Sequence, residues 1–517
     1  MKKDLLIGID LGSSNVKTLL IDDQGRTLGL QTEEYPTLFP QPGWIEYDPN
    51  DWWDAVKKTL KRVIADAKVD AKRVAGVGVS GLGCCAVPMD EKGALLYNAL
   101  PWSDLRAQKE ADFLMKSCGE EIRRACGLTP TALNTIPHLI WLKNERPDIY
   151  RKLYKFTESS GFIIQRLTGE FILDLASASF VEYGINLKTL DYDTALIKAM
   201  QLDFEKFPRL LPNSKAAGAV TRQASAETGL EEGTPVACGG NDLPAGAVGS
   251  GALHAGQAFY YSGTGSNATV LTDKLFTTSP DMLHCLCTHD PRVKMIDGVQ
   301  GSVGYSLRWF RDTLGGAEHA AAQMMGNGVS SFDMMDLEVG RTAPGSGGLL
   351  FLPFLFGHFN PVLNPLATGV FFGISPTTTR ATMIRAIIEG CVFNAYESYR
   401  HIEDMGIDYK EIIFVGGPSN SPVWCQALAD TTNRKVITVS SSEPSTFGDA
   451  ITAGVAAGVF SGFEDIVGRT VKQKKQYMPD DRRHAMYGAL YTVYQGAYQD
   501  AGRSFKALAE ARAAYGI

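Results

Sequence analysis

The stretch IGIDLGSSNVKTLLID, residues 7–22, reads as an apolar strand ending in Asp10, a glycine-serine turn, and a second apolar strand that opens on Lys17. This layout puts an acid, a run of backbone N–H groups and a cation around one bend. A carboxylate can hold Mg²⁺, and successive amides with a lysine can hold phosphate oxygens, so the bend suits a metal-nucleotide site. Strand, glycine turn and strand also describe an ordinary β-hairpin. The weight comes from an echo: residues 258–273, AFYYSGTGSNATVLTD, repeat the plan. In both copies Ser-Asn leads into a β-rich run closing on an aspartate, Ser14-Asn15 to Asp22 and Ser266-Asn267 to Asp273. Two such hairpins one domain length apart read as a duplicated fold with a phosphate turn in each half.

At 517 residues the chain exceeds one hydrophobic core, so two domains are expected. Residues 252–257 lie between a glycine-rich helix and the second turn, which divides the chain into 1–252 and 253–517. The composition, 44% hydrophobic and 21% charged, is that of a globular protein. A net charge of −7 argues against a nucleic-acid partner, which needs a concentrated basic surface. The basic run Lys472 to Lys475 reads as a solvated linker. The N-terminus MKKDLLIGID carries Asp4 and Asp10 within a short apolar run and fails as a signal peptide. No apolar stretch is long enough to cross a bilayer, so no membrane partner and a cytoplasmic location are expected. Several of the nine cysteines, among them Cys238, Cys391 and Cys425, lie in apolar stretches, as buried thiols in a reducing compartment do. His284, Cys285, Cys287 and His289 lack the spacing of a zinc site and read as a strand with alternating faces.

The first 35 residues form a three-strand meander, with Asp22-Asp23-Gln24-Gly25 closing its second hairpin. Helices then alternate with short β runs, Val74 to Ser80 and Thr234 to Gly240, an α/β pattern with a mixed sheet. A long helix from about Thr379 to Met405 sets Ile384, Ile387, Ile388 and Cys391 on one face, and a strand follows at Glu411 to Val415. Glu443 to Gly458 is a small-residue helix suited to close packing. The tail from Asp481 is helical, with Tyr487, Tyr491, Tyr494 and Tyr498 on one stripe that reads as core.

Gly239-Gly240-Asn241-Asp242 follows an apolar strand and precedes the small-residue helix Pro244 to Gly251. A carboxylate at that junction stands where open α/β sheets place ligands, so Asp242 is a candidate general base. Capping the helix is the commoner role for an aspartate considered in isolation. Gly416-Gly417-Pro418-Ser419-Asn420-Ser421-Pro422 is a further glycine turn, with Ser421 as helix cap and Pro422 at the first helical position. Glycines there let a flat ring or a phosphate lie against the backbone, and a plain strand-to-helix turn has the same pattern.

Taken together, these segments resemble the FGGY family of carbohydrate kinases over nearly the whole chain. The resemblance is carried in order by IGIDLGSSNVK, GWIEYDPNDWW (Gly43 to Trp53), LPWSDLRA (Leu100 to Ala107), GGNDLPAGAVGSGA (Gly239 to Ala252) and SGTGS (Ser262 to Ser266). GVFFGI and IRAIIEG (within Gly369 to Gly390), GGPSNSPVWCQALAD (Gly416 to Asp430) and the tail YMPDDRRHAMYGALYTVY follow. It implies two actin-like, ribonuclease-H-like α/β domains with ATP and sugar in the cleft between them. It also implies that Asp10 and Asp242 hold Mg²⁺, and that Gly12, Ser13, Ser14, Asn15 and Lys17 meet the transferred phosphate. Gly263, Thr264 and Gly265 would form the second phosphate loop, and Gly416, Gly417 and Asn420 would flank the adenosine. Asp242 aligns with the family's catalytic base, and Gly81, Leu82, Gly83, Trp102, Asp104 and Asp242 would meet the sugar.

Departures from the family concentrate on the sugar side. Gly81-Leu82-Gly83-Cys84-Cys85 is small or apolar where polar residues are common, and the Arg-Glu pair of glycerol kinases is absent, which points away from glycerol. Leu243 stands where xylulokinases usually have Asn. Gly357-His358-Phe359-Asn360 replaces a common Gly-Glu-Arg-Thr, Thr368 replaces an Arg, and His138 replaces a Lys as a structural matter. The activity implied is ATP-dependent phosphorylation of a hydroxyl on a sugar or polyol, foremost a ketopentose such as xylulose. Erythritol, ribulose or gluconate-like acceptors, or a non-catalytic sugar sensor, are the alternatives. An actin-like or chaperone-type ATPase is disfavoured by the Asp242 element and the tail. A homodimer is the assembly considered.

Overall fold

The structure, a computed structural model, describes residues 2–516 apart from 182, 264, 278–282, 327, 362 and 442. Its frame is two seven-stranded sheets. In the first, Leu5–Leu11 runs antiparallel to Asn15–Asp22, which runs antiparallel to Thr27–Glu34. On its other side Leu5–Leu11 pairs in parallel with Val74–Gly81, followed by Pro235–Ala237 and the edge strand Ala216–Ala219. The second sheet repeats this order. Gln257–Ser262 is antiparallel to Ser266–Thr272, and that strand to Lys294–Gln300, with His284–Cys287 at the edge. On the far side come Glu411–Gly416 and Lys435–Val439 in parallel, and the antiparallel edge Gln473–Tyr477.

Alternation of side chains decides what covers each face of the first sheet. Leu5, Ile7, Ile9 and Leu11 point into a core with Trp52, Val56 and Leu60 of helix Pro49–Asp66. Gly8 and Asp10 fall with Leu6 on the opposite face, where helix Pro444–Ala456 lies across the strands. A Cβ on Gly8 would stand 1.9 Å from the Thr446 carbonyl oxygen, and one on Gly78 would stand 2.1 Å from that of Asp449. The helix therefore meets the sheet backbone to backbone, a contact that only glycine allows. In sequence this helix follows the second sheet's strands; in space it belongs to the first sheet and to helix Asp242–Ser250.

Helix Arg380–Asp404, capped by Thr379, buries Ile384, Ile387, Ile388 and Cys391 as its spacing predicts. The tail helix Asp481–Tyr515 buries Tyr487, Tyr491 and Tyr494 around Phe393, with Tyr498 partly buried. On His284–Cys287, Cys285 and Cys287 enter one core and Leu286 another, so the strand does alternate its faces. Two expectations need correction. The run 234–240 pairs only over Pro235–Ala237, because Gly239 turns at φ +84° against the Val79 carbonyl before Gly240–Asn241 resumes pairing beside Ser80 and Gly81. The basic run at 472–475 is largely an exposed edge strand, where lysines discourage pairing with other chains, and not a linker. Among the described residues no helix is long and apolar enough to cross a membrane.

Candidate active site

Asp10 faces Lys17 across the first hairpin and Ser80 on the neighbouring parallel strand. Burial pushes its carboxyl up to about 6, against the pull of Lys17. The Ser80 hydroxyl donates to Asp449 Oδ2 at 2.6 Å and lies 3.4 Å from Asp10 Oδ1. Asp449 comes from helix Pro444–Ala456 and is 1% exposed; burial, then repulsion from Asp10, holds its carboxyl well above the carboxylate range. Lys17 is not free to await a phosphate: its Nζ sits 2.6 Å from Glu443 Oε2.

The first turn is held from behind. The Tyr35 hydroxyl donates to the Gly12 carbonyl, and that of Tyr47 donates to the Ser13 carbonyl at 2.9 Å. The Gly12 amide closes the turn onto the Asn15 carbonyl at 3.0 Å, and Ser13 and Ser14 remain exposed. In the second turn the Gly263 amide reaches the Gly265 carbonyl at 2.8 Å, and the Ser266 hydroxyl reaches that of Ser262 at 2.9 Å. Thr264 lies outside the described residues. Gly416, at φ +95°, abuts this turn: a Cβ there would be 1.9 Å from the Ser262 carbonyl oxygen. Gly417 faces open space, Asn420 Nδ2 donates to the Gly417 carbonyl at 3.3 Å, and Ser421 caps helix Pro422–Thr432.

Asp242 is the first residue of helix Asp242–Ser250, two residues earlier than the expected start at Pro244. The cap is Asn241, whose side-chain oxygen accepts the Leu243 amide at 3.0 Å. The Asp242 carboxylate is thereby released from the capping role that its sequence position suggests. Burial first, then repulsion from Asp10, pushes it up to about 7. Asp10, Asp242 and Asp449 thus share one neighbourhood, and Lys17 beside Asp10 is itself tied to Glu443. Among the described residues no group of three or more His, Cys, Asp or Glu side chains is arranged to hold a metal ion by itself.

On the sugar side Trp102 is 43% exposed. Gly83 lies under Asn241 Nδ2 and the Phe180 ring, 2.2 and 3.0 Å from where its Cβ would be. Gly81 is packed against Ser159, whose hydroxyl donates to the carbonyl of the buried Leu82 at 2.8 Å. Asp104 departs from expectation. Its side chain has no exposure, and its oxygens accept from Arg106 Nε and Nη2 and from the Ile45 and Arg106 amides. Burial opposes its ionisation, but the hydrogen bonds from His138, Arg106 and those amides prevail and keep it well below the carboxylate range. Arg106 stacks 3.7 Å above Trp44 and also pairs with Glu46. In this structure the enclosed Asp104 carboxylate braces the loop that carries Trp102. Sequence reading missed Ser80, Asp449 and Glu443; a charge inside a small-residue packing helix was the available signal for Asp449.

The family models for the FGGY family of carbohydrate kinases match residues 5–249 (N-terminal domain) and 258–457 (C-terminal domain). A xylulose kinase of Staphylococcus xylosus is 26% identical over 496 residues, covering 95% of this chain and 99% of the relative. A gluconokinase of Bacillus subtilis is 26% identical over 472 residues, covering 90% and 91%. The crystal structure of a xyloylose kinase from Brucella ovis matches with a TM-score of 0.86 at 25% identity, covering 96% of this chain and 99% of that one.

Proposed function

The chain belongs to the FGGY family of carbohydrate kinases, and on that premise we propose that it phosphorylates a ketopentose, xylulose first, with Asp242 as the base. It is a phosphotransferase of two actin-like α/β domains that takes ATP as phosphoryl donor and a sugar as acceptor. The observation that carries the Asp242 assignment is the division of labour at the helix start: Asn241 caps, and the adjacent carboxylate is left over, beside Asp10 and at a pKa of about 7. A general base works best with a pKa near the operating pH.

In the proposed reaction Asp242 orients the acceptor hydroxyl and takes its proton as the new oxygen–phosphorus bond forms and the bond from phosphorus to the ADP oxygen breaks. Phosphoryl transfer has a loose transition state, so positioning and charge neutralisation are the main tasks. The two glycine turns serve the first task from opposite sheets. Gly416 and Gly417 leave a bare surface for the adenosine, with Asn420 bracing the turn.

Mg²⁺ would be held by Asp10 and Asp242 and would neutralise charge on the phosphates. The residues fit it: burial and Asp10 raise Asp242, burial and Glu443 raise Asp10, and Lys17 beside Asp10 is engaged by Glu443, so a cation here would relieve both acids. Two carboxylates suit an ion that keeps several waters and takes phosphate oxygens. The nine cysteines are buried and none forms a disulfide, which supports a reducing, cytoplasmic setting. A homodimer is the proposed assembly, and light scattering checks it.

The test is ADP release against a panel of ketoses, aldoses, polyols and gluconate, with Asp242→Asn beside the parent chain. Turnover highest with xylulose and abolished in the variant is the expected result. Turnover that survives the substitution would remove the base assignment. A preference for gluconate, the acceptor named for the Bacillus subtilis relative, would overturn the ketopentose. Silence on every acceptor would favour the sensor reading.

A further inference from the structure

The loop that follows strand Val74–Gly81 is held by a buried acid that takes no part in phosphoryl transfer. Glu158 is 1% exposed and stands at the start of helix Ser159–Thr168. Its Oε2 accepts the Cys85 amide at 2.6 Å and its Oε1 accepts the Thr135 hydroxyl at 2.6 Å. Burial pushes this carboxyl up to about 7, against both hydrogen bonds. A buried acid is costly unless it is paired, and here both oxygens are paired, one to the loop and one to its support.

The loop needs holding. Cys84 sits at φ +55°, a left-handed conformation that costs a non-glycine residue about 1 kcal/mol. Asn134 lies 3.9 Å from its sulfur and is itself fixed by Tyr183 and Thr131. Ser159 secures the loop's other end at the Leu82 carbonyl. The far side of the loop meets the residue before the proposed base: the space above Gly83 is filled by Asn241, which caps the Asp242 helix. Glu158, the Cys85 amide, Gly83, Asn241 and Asp242 thus form one packed series from a buried carboxylate to the proposed reaction centre.

We propose that Glu158 is a positioning residue: through the Cys85 amide it fixes the Leu82–Cys85 loop as the sugar wall and sets the acceptor hydroxyl against Asp242. This rests on reading Asp242 as the base of a sugar kinase. The Leu82 amide donates to the Leu11 carbonyl at 2.9 Å, next to the first glycine turn, but Glu158 holds the loop at its other end, Cys85; a displacement there loosens the sugar and leaves the adenosine turn at Gly416, on the second sheet, in place.

The experiment compares Glu158→Ala and Glu158→Gln in the full chain by two readouts, amide hydrogen exchange over residues 82–86 and steady-state kinetics with xylulose and ATP. In the alanine variant loop exchange should accelerate about tenfold or more, because a charge-assisted bond to the Cys85 amide is lost. The sugar KM should rise about tenfold with the ATP KM unchanged within about twofold. Glutamine keeps an acceptor for the amide and should restore both to within about threefold. Unchanged exchange in the alanine variant overturns the proposal, as does an equal loss toward sugar and ATP. Should the alanine chain not fold, Thr135→Val removes one donor and is judged by the same split. If the parent chain turns over no sugar, the kinase reading fails, and hydrogen exchange still decides whether Glu158 holds the loop.

Discussion

The two hairpins are one plan executed twice, and their differences show where the chemistry resides. In the first sheet the residue two places before the turn glycine is Asp10, paired across the hairpin with Lys17. In the second it is Tyr261, paired with Asn267. The second half does have an acid nearby, Asp297, but Thr269 and Asn267 each donate to it at 2.9 Å, and it has no exposure. The strand parallel to the first one ends in a glycine in both sheets, Gly81 opposite Leu11 and Gly416 opposite Ser262. After Gly81 comes the proposed sugar loop, and after Gly416 the proposed adenosine turn. The same topology thus supplies a charged floor in one half and a neutral, backbone-lined one in the other. A cleft that moves a phosphoryl group needs acids where the proton and the metal are handled. Where an aromatic ring has only to lie flat, bare backbone suffices.

The sharpest way to break this contrast is Asp242→Asn, which keeps shape and removes the base. A loss of about 10²–10⁴-fold in kcat is expected, with ATP binding retained in a nucleotide titration. On the neutral side Gly416→Ala sets a Cβ 1.9 Å from the Ser262 carbonyl and forces a side chain onto φ +95°, so a loss of roughly 3 kcal/mol or more in denaturant stability is expected. Gly417→Ala, facing open space, should leave stability unchanged and raise the ATP KM several-fold.

The pH dependence separates the halves further. Burial raises Asp10 to about 6 and Asp242 to about 7 from an ordinary 3.8, so between about pH 4 and 7 the folded chain holds protons that the unfolded chain has released. In metal-free buffer stability therefore falls as pH rises through that window. Asp449→Asn should raise stability at pH 8 by on the order of 1 kcal/mol, a gain that disappears below about pH 4. A melting series across pH checks the sign. Smallest of all, Tyr47→Phe removes the hydroxyl that holds the Ser13 carbonyl at 2.9 Å. It should cost about 1 kcal/mol, seen as a roughly fivefold rise in ATP KM.

Much of this was legible in the chain. The hairpins announce themselves through alternating apolar residues around glycine turns, because a strand's two faces are written at a spacing of two. The long helix and the tyrosine stripe follow from helical spacing in the same way. Asp242 was visible as a residue but not as a free carboxylate, since which of two neighbouring residues caps a helix depends on where the helix begins. The enclosure of Asp104 was not legible because W-x-D-x-R says nothing of which side chain turns inward. Glu158 was not singled out, and its partners at Cys85 and Thr135 lie 73 and 23 residues away.

The sequence by itself determined the duplicated α/β plan, the two glycine turns and the acid at the bend of the first. These depend on local spacing and on glycine's freedom at turns. Only the tertiary structure decided that helix Pro444–Ala456 crosses back onto the first sheet, bringing Asp449 to Ser80 and placing Glu443 against Lys17. The physical reason is that such contacts depend on backbone approaching backbone where Gly8, Gly78 and Gly249 carry no side chain. A chain can record the glycines, but it does not record which carbonyls will fill the space they leave.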